Sequence, residues 1–382
     1  MPRSNTLQEI ALLFFRLGAT AFGGPVAHIA LMEKEFVRRL RWLTQEQFLD
    51  LVSATHLIPG PNSTELALHI GYLRAGWRGL VVAGLCFILP GALITMIFVG
   101  LYQAYAQLPK VTDALYGISP VILAIVLQAI WSLRKTVTSS HKSLLLGAVS
   151  VAEKGLGFAE IPILFLAGFM GWLMNLSRKR STTVAMLAAL STHSIHAWSA
   201  VASGQALQSL TLGKLFWSFL KIGSTLFGSG YVLLSFLRTD FVERLGWLTE
   251  NQLIDAVAIG QFTPGPLFTT ATFIGYQLGG FSGASLATFG IFLPAFLLVG
   301  LTAPIITRLR SSRAVSGILD AVNAASLAFM VWTAGQLALS TLKDAVSWGI
   351  FLMSMLMLQR YKTGSAGLII SGAMIGLMSR RI

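Results

Sequence analysis

Pro59-Gly60-Pro61 and Pro264-Gly265-Pro266 each interrupt an apolar stretch of this chain, and what surrounds the first interruption recurs around the second, about 205 residues later. Phe22-Gly23-Gly24-Pro25 answers to Phe227-Gly228-Ser229-Gly230, and Trp42-Leu43-Thr44 to Trp247-Leu248-Thr249. After a single-residue gap the register continues, Gly71-Tyr72 against Gly275-Tyr276 and Leu89-Pro90 against Leu293-Pro294. Order and spacing shared over such a length point to internal duplication rather than to hydrophobicity alone. Helix-breaking Gly and Pro at matching places in two apolar halves are the mark of a secondary transporter.

Composition sets the solvent. The 382 residues are 54% hydrophobic and 11% charged, with a mean hydropathy of +0.72, outside the range of a soluble domain. Uncharged stretches run from Leu80 to Pro109, Ala114 to Leu133, Ser181 to Gly213, Ala256 to Thr307 and Ala321 to Leu342. Most reach the roughly 20 residues that cross hydrocarbon as a helix, and the fourth is long enough for two crossings. Weak alternation and abundant Leu, Ala, Ile and Gly favour helices over a barrel. The predicted fold class is therefore an all-α polytopic membrane protein of two homologous halves, residues 1–200 and 201–382, with broken or re-entrant helices.

The net charge of +13 does not indicate nucleic acid. Lys and Arg sit in short connections (Arg134, Lys135, Lys142; Arg178, Lys179, Arg180; Arg308, Arg310, Arg313), the pattern of a cytoplasmic face. The first half carries Arg38, Arg39, Arg41, Arg74 and Arg78 around its breaks, where the second keeps only Arg238 and Arg244. That asymmetry predicts opposite orientations, hence inverted-topology repeats, and a count of crossings with both broken elements re-entrant leaves only Arg380 and Arg381 on the wrong side. Glu9 and Arg16 in the first apolar stretch, with no small-residue cleavage site, predict no removable signal peptide. Cys86 stands alone, and His193 and His196 have no acid or thiol nearby, so neither disulfide nor metal is expected. Without a Walker-type loop, ATP is not the expected driver, and no cofactor is called for.

Each half follows its Gly-rich break with a charged segment and a capping box, Thr44 with Gln47 and Thr249 with Gln252. Proline ends one helix and suits the start of the next, so Pro59-Gly60-Pro61 and Pro264-Gly265-Pro266 read as hinges between half-helices, or as kinks in continuous spans. Gly23, Gly24, Gly228 and Gly230, with Pro25, let backbone amides approach a ligand, and a half-helix starting there turns its positive dipole end inward. Asn62, Ser63, Thr64, Thr269 and Thr270 around the hinges are candidate donors to an oxyanion, or ordinary helix caps. Arg16 and Lys221 hold the same repeat position, two helical turns (about 10 Å) before the break. A cation there costs about 2.5 to 3.5 kcal/mol and marks a substrate path, an ion pair or a side chain reaching for the interface. Among acids, Glu65 shares a helix face with His69 and is a candidate proton relay. Asp50 and Asp255, nine residues before each hinge, read as ion-pair partners or coupling carboxylates.

Taken together, Phe22-Gly23-Gly24-Pro25 with His28, Trp42-Leu43-Thr44 and the paired Pro-Gly-Pro motifs resemble the chromate ion transporter family in its long two-domain form, over nearly the whole chain. The resemblance implies a multi-pass protein of the bacterial or archaeal inner membrane, two halves of opposite topology, and export of chromate driven by the membrane potential or a proton gradient, giving chromate resistance. The second half departs from the pattern at Gly228-Ser229-Gly230, where no proline follows. Chromate is a tetrahedral dianion shaped like sulfate, so uptake or exchange of sulfate or another oxyanion is the alternative function, and a membrane-embedded enzyme a more distant one. Expected partners are a chromate- or sulfate-like oxyanion, membrane lipid and a second copy of the chain, but no nucleic acid.

Overall fold

The computed structural model describes residues 4–22, 24–106, 108–138, 141–176, 209–228, 230–304, 313–361 and 363–379. Gly23, the His193/His196 pair, the crossing expected near 183–207 and the cations at 178–180, 308, 310, 380 and 381 lie outside them. The described residues form helices and no strand. In chain order these are α1 (Ser4–Thr20), α2 (Gly24–Met32), α3 (Gln45–Thr55), α4 (Asn62–Tyr105), α5 (Pro109–Thr138), α6 (His141–Gly155) and α7 (Glu160–Leu176). There follow α8 (Leu212–Thr225), α9 (Leu233–Leu237), α10 (Glu250–Phe262), α11 (Thr270–Thr302), α12 (Arg313–Thr341), α13 (Ala345–Leu356) and α14 (Ser365–Ser379).

The charged segments after the Gly-rich breaks are π-helical turns, Glu33–Arg39 and Arg238–Arg244. Wider than an α-turn, each brings its aromatic residue inward. Phe36 stacks on Phe14 at 5.1 Å, and Phe241 on Phe219 at 4.9 Å. Trp42 and Trp247 close the same clusters. Thr44 and Thr249 then start α3 and α10 through the predicted capping boxes.

The longest described helix, α4, is folded back on itself. Its 44 residues would measure about 66 Å as one rod, twice the hydrocarbon thickness. Ala75 and Gly76 (φ 60°) leave the helical region, and the chain turns back on itself. A Cβ on Gly71 would strike the Gly79 carbonyl and crowd Ala83, so the Asn62–Arg74 half-helix packs directly along the span that follows. In α11, Gly279 and Gly280 (φ 60°) break the same way, and Gly275 meets Gly283. Small residues permit this backbone-to-backbone approach, the usual device where no hydrophobic force separates helix from lipid. Arg74 and Arg78, expected from sequence among the arginines around the first half's breaks, flank this tight turn.

Both short half-helices run through the middle of the protein. Every residue from Gly60 to Gly71 is buried, and every residue from Thr263 to Gly275. A helix buried all round lies inside the bundle, and these two carry polar residues there. The peripheral helices are exchanged between the halves: α6 and α7 pack on α12, while α13 and α14 pack on α5. Gly117 against Gly372 and Gly376, and Gly171 against Gly317 and Ala321, set those approaches. Tyr116 on α5 donates to Asp344 at the start of α13 at 2.6 Å.

Candidate functional site

The site is built where the breaks of the two halves cross. Helix α1 ends at Thr20 and α8 at Thr225, which leaves the carbonyls of Ala21 and Leu226 beyond the last turn. The amide of Gly265 donates to Ala21 at 3.0 Å, and that of Gly60 to Leu226 at 2.8 Å. In a low-dielectric interior, unpaired backbone groups are costly, so each half supplies what the other half's break lacks. The crossing is tight. A Cβ on Gly91 would lie 2.7 Å from the Pro264 carbonyl, and one on Gly265 would lie 3.2 Å from both the Gly18 carbonyl and Gly91 Cα. Gly60 (φ 142°) and Gly265 (φ 92°) also need backbone conformations that side chains disfavour.

From this crossing the half-helices start. Pro61 and Pro266 take the N-cap positions with extended backbone, one place earlier than the first helical position, so the Asn62 and Ser63 amides precede the first intrahelical bond, from Thr64 to Pro61. Two positive helix ends thus open into the centre of the protein. Asn62 donates its carboxamide to the Gly228 carbonyl at 3.0 Å and to His56 Nδ1 at 3.1 Å, tying the first half-helix to the opposite break. His28 sits edge-on to Phe87 and its Nε2 contacts the Ala21 carbonyl at 3.0 Å. A carbonyl only accepts, so the Nε2 proton is assigned there.

The predicted donors divide. Ser63 and Thr64 are buried in the first turn, and the Thr64 hydroxyl has no protein partner. Thr269 and Thr270 donate instead to the carbonyls of Pro266 and Leu267, at 2.9 and 2.8 Å, so their hydroxyls are satisfied within their own first turn. Gly24 (φ 76°) opens α2, facing Tyr231 and Gln261, and Pro25 packs toward Gly230. Gly228 (φ 98°) lies beside Asn323 and Ser326 of α12.

The cations do not stand together at the crossing. Arg16 is exposed on the outer face of α1, beside Leu12 and Phe15. Lys221 contacts Asp240 of the π-turn at 2.7 Å, and Asp240 also accepts from Arg244 at 3.1 Å. Its first-half counterpart Glu35 pairs with Arg39, and no ion pair reaches Arg16 among the described residues. The acids differ as well. Asp50 is exposed. Asp255 accepts the Tyr102 hydroxyl at 2.8 Å. Glu65 and His69 are fully buried on one face of the first half-helix.

Several residues here escaped the sequence reading. Tyr102, Asn323 and Ser326 reach the site from distant sequence and carry no local signal, while Tyr231 directly follows Gly230. Gly18 was readable, because Gly223 repeats it at the same helix-to-helix contact, as was Asp240, because Glu35 repeats its charge.

Comparison with known proteins agrees with this architecture. The chromate transporter family profile matches residues 8–203 and 213–377. The chromate transport protein of Cupriavidus metallidurans is 30% identical over 377 residues, 98% of this chain and 93% of that protein. The probable chromate transport protein of Synechococcus elongatus is 28% identical over 92% of this chain and 89% of its own length. The chromate transport protein of Pseudomonas aeruginosa is 31% identical over 78% of this chain and 72% of its own length. No solved structure matches. With at least four described helices long and apolar enough to span a bilayer, this multi-pass cell-membrane protein belongs to the chromate transporter family.

Proposed function

We propose that this protein is a secondary active transporter that moves chromate out of the cytoplasm and thereby confers chromate resistance. One observation carries the reading: two fully buried half-helices begin at a single crossing, held by the reciprocal bonds from Gly60 to Leu226 and from Gly265 to Ala21. Broken helices whose positive ends meet near mid-membrane suit an anion, and irregular backbone persists at that depth only inside protein or along a cavity. The amides of Asn62 and Ser63, the Thr64 hydroxyl and the backbone at Gly24, Gly228 and Gly230 form the cradle, to which the sequence motif adds Gly23 and Pro25. Pro59, Gly60, Pro61, Pro264, Gly265 and Pro266 are its hinges. Arg16 and Lys221 supply charge along the approach.

The halves, residues 1–200 and 201–382, are inverted repeats in this proposal. The reciprocal bonds, the exchanged peripheral helices and the opposite arginine bias support that arrangement. Alternating access is then rocking of one broken element against the other.

Inside-out vesicles from cells expressing the protein test it. Energised vesicles should accumulate radiolabelled chromate above control vesicles, and excess sulfate should compete in proportion to its fit. Accumulation by right-side-out vesicles only would make the protein an importer, and accumulation of sulfate but not chromate would change the substrate.

A further inference from the structure

Three acids occupy places where a proton can be coupled to movement, and the structure separates them. Asp50 is exposed on α3, and Asp255 accepts the Tyr102 hydroxyl. Glu65 has no exposed surface, and neither carboxyl oxygen has a hydrogen-bond donor among the described residues. Its position is mechanical as well as buried. The carboxyl lies over Gly60, where a Cβ would collide with Oε1, so the hinge has no side chain where the acid sits. One turn later His69, 2% exposed, presents an Nε2 that also has no protein partner. The second half has Thr270 at the corresponding place, its hydroxyl satisfied by Leu267.

Charges from neighbouring elements do not compensate. Glu9 and Arg16 of α1 and Arg78 of the adjoining span are exposed, His28 of α2 is bonded to Ala21, and His56 at the end of α3 is bonded to Asn62. An ionised carboxylate so enclosed would be strongly disfavoured, whereas a carboxyl group is tolerated. Opening of the Gly60 hinge is the motion that would bring water to it.

We propose that Glu65 is the proton-exchange site of the transport cycle, protonated in the conformation described here and deprotonated when the Asn62–Arg74 half-helix moves at Gly60. This rests on the anion-transport reading above. The step is one O–H bond formed as a proton arrives from water and broken as it leaves, with His69 on the same face as the adjacent acceptor, and no change of oxidation state.

The test is transport by the purified full chain in liposomes, with the membrane potential clamped at zero by potassium and valinomycin. A one-unit pH gradient should drive about a tenfold chromate accumulation for each coupled proton. Glu65→Gln should reduce that ratio to about one while exchange of labelled for unlabelled chromate continues, and Glu65→Asp should keep both. The proposal is overturned if Glu65→Gln accumulates chromate like the parent. It is overturned equally if Gln and Asp variants lose both activities alike, or if a sodium gradient replaces the proton gradient. If the parent exchanges no chromate at all, the transport reading itself fails, and the two failures are distinct.

Discussion

The amide of Gly265 donates to the carbonyl of Ala21, which also receives His28 Nε2, both at 3.0 Å. Gly60 and Leu226 repeat the first of these bonds from the opposite half. A separated first half would leave the Gly60 amide without its acceptor, and a separated second half the Gly265 amide and the Leu226 carbonyl without their partners, whereas Ala21 would keep His28. The crossing therefore links the two halves, and in the proposed transport cycle it is where rocking would act.

Gly265→Ala tests that crossing. At φ 92° an alanine costs about 1 to 2 kcal/mol in backbone conformation, and its Cβ meets Gly18 and Gly91 at 3.2 Å. Thermal unfolding in detergent should shift down accordingly, and vesicle transport should fall at least tenfold. Gly76→Ala, also at positive φ but with open space around it, should cost only the backbone share and retain transport.

How much of this was legible beforehand depends on how local the signal is. Capping boxes and Pro-Gly-Pro breaks are decided within a few residues, and they were read correctly as helix starts and interruptions. The expected re-entrant elements had no marked turning point, because no proline stands at Ala75–Gly76 or Gly279–Gly280, where the chain turns back. The pairing of Lys221 with Asp240 depends on a π-turn that periodicity does not show, and Tyr102 meets Asp255 across 153 residues of chain. Position in the repeat identified Arg16 and Lys221 as equivalent, whereas packing gave one an acid partner and left the other exposed.

That difference is measurable. Arg16→Gln removes an exposed charge and should change stability by less than about 0.5 kcal/mol. Lys221→Gln weakens a buried acid's pairing but leaves Arg244 in contact, so a loss of about 1 to 3 kcal/mol is expected. If Arg16 draws the anion in, its variant should lose chromate flux, chiefly at low ionic strength, with unfolding unchanged.

Asn62→Leu places in the first half the residue that the second half has at Leu267. It removes the donor to Gly228 and leaves that carbonyl short of a partner, for a cost of about 1 to 3 kcal/mol. Chromate flux should fall further than stability does, since the substitution also removes a polar group at the mouth of the half-helix. Equal flux in variant and parent would limit the role of Asn62 in the cradle to its backbone amide.

Lys154 and Glu160 form a buried ion pair at 2.8 Å, and Lys154 also donates to Thr239 in the second half's π-turn at 2.8 Å. Lys154→Met leaves Glu160 buried without its counter-charge, which should destabilise the protein by about 3 to 5 kcal/mol. Lys154→Met combined with Glu160→Leu should recover most of it, since replacing a whole buried pair with apolar groups is commonly neutral. Thermal unfolding of the two variants separates the cost of an orphaned charge from the value of the link to Thr239.

Asp344 lies beyond the span of α12 and caps α13. The Tyr116 hydroxyl, followed by the Ser347 amide, holds its carboxyl below the usual carboxylate range. A depressed folded-state value means that the stabilisation is present above the unfolded value, about pH 4, and is lost as pH falls through the folded one. Asp344→Asn keeps a capping side chain but cannot titrate. Acid unfolding in detergent should therefore show a component below about pH 4 in the parent that the variant lacks. The same component should vanish in Tyr116→Phe if the bond between the halves, rather than the cap alone, sets it.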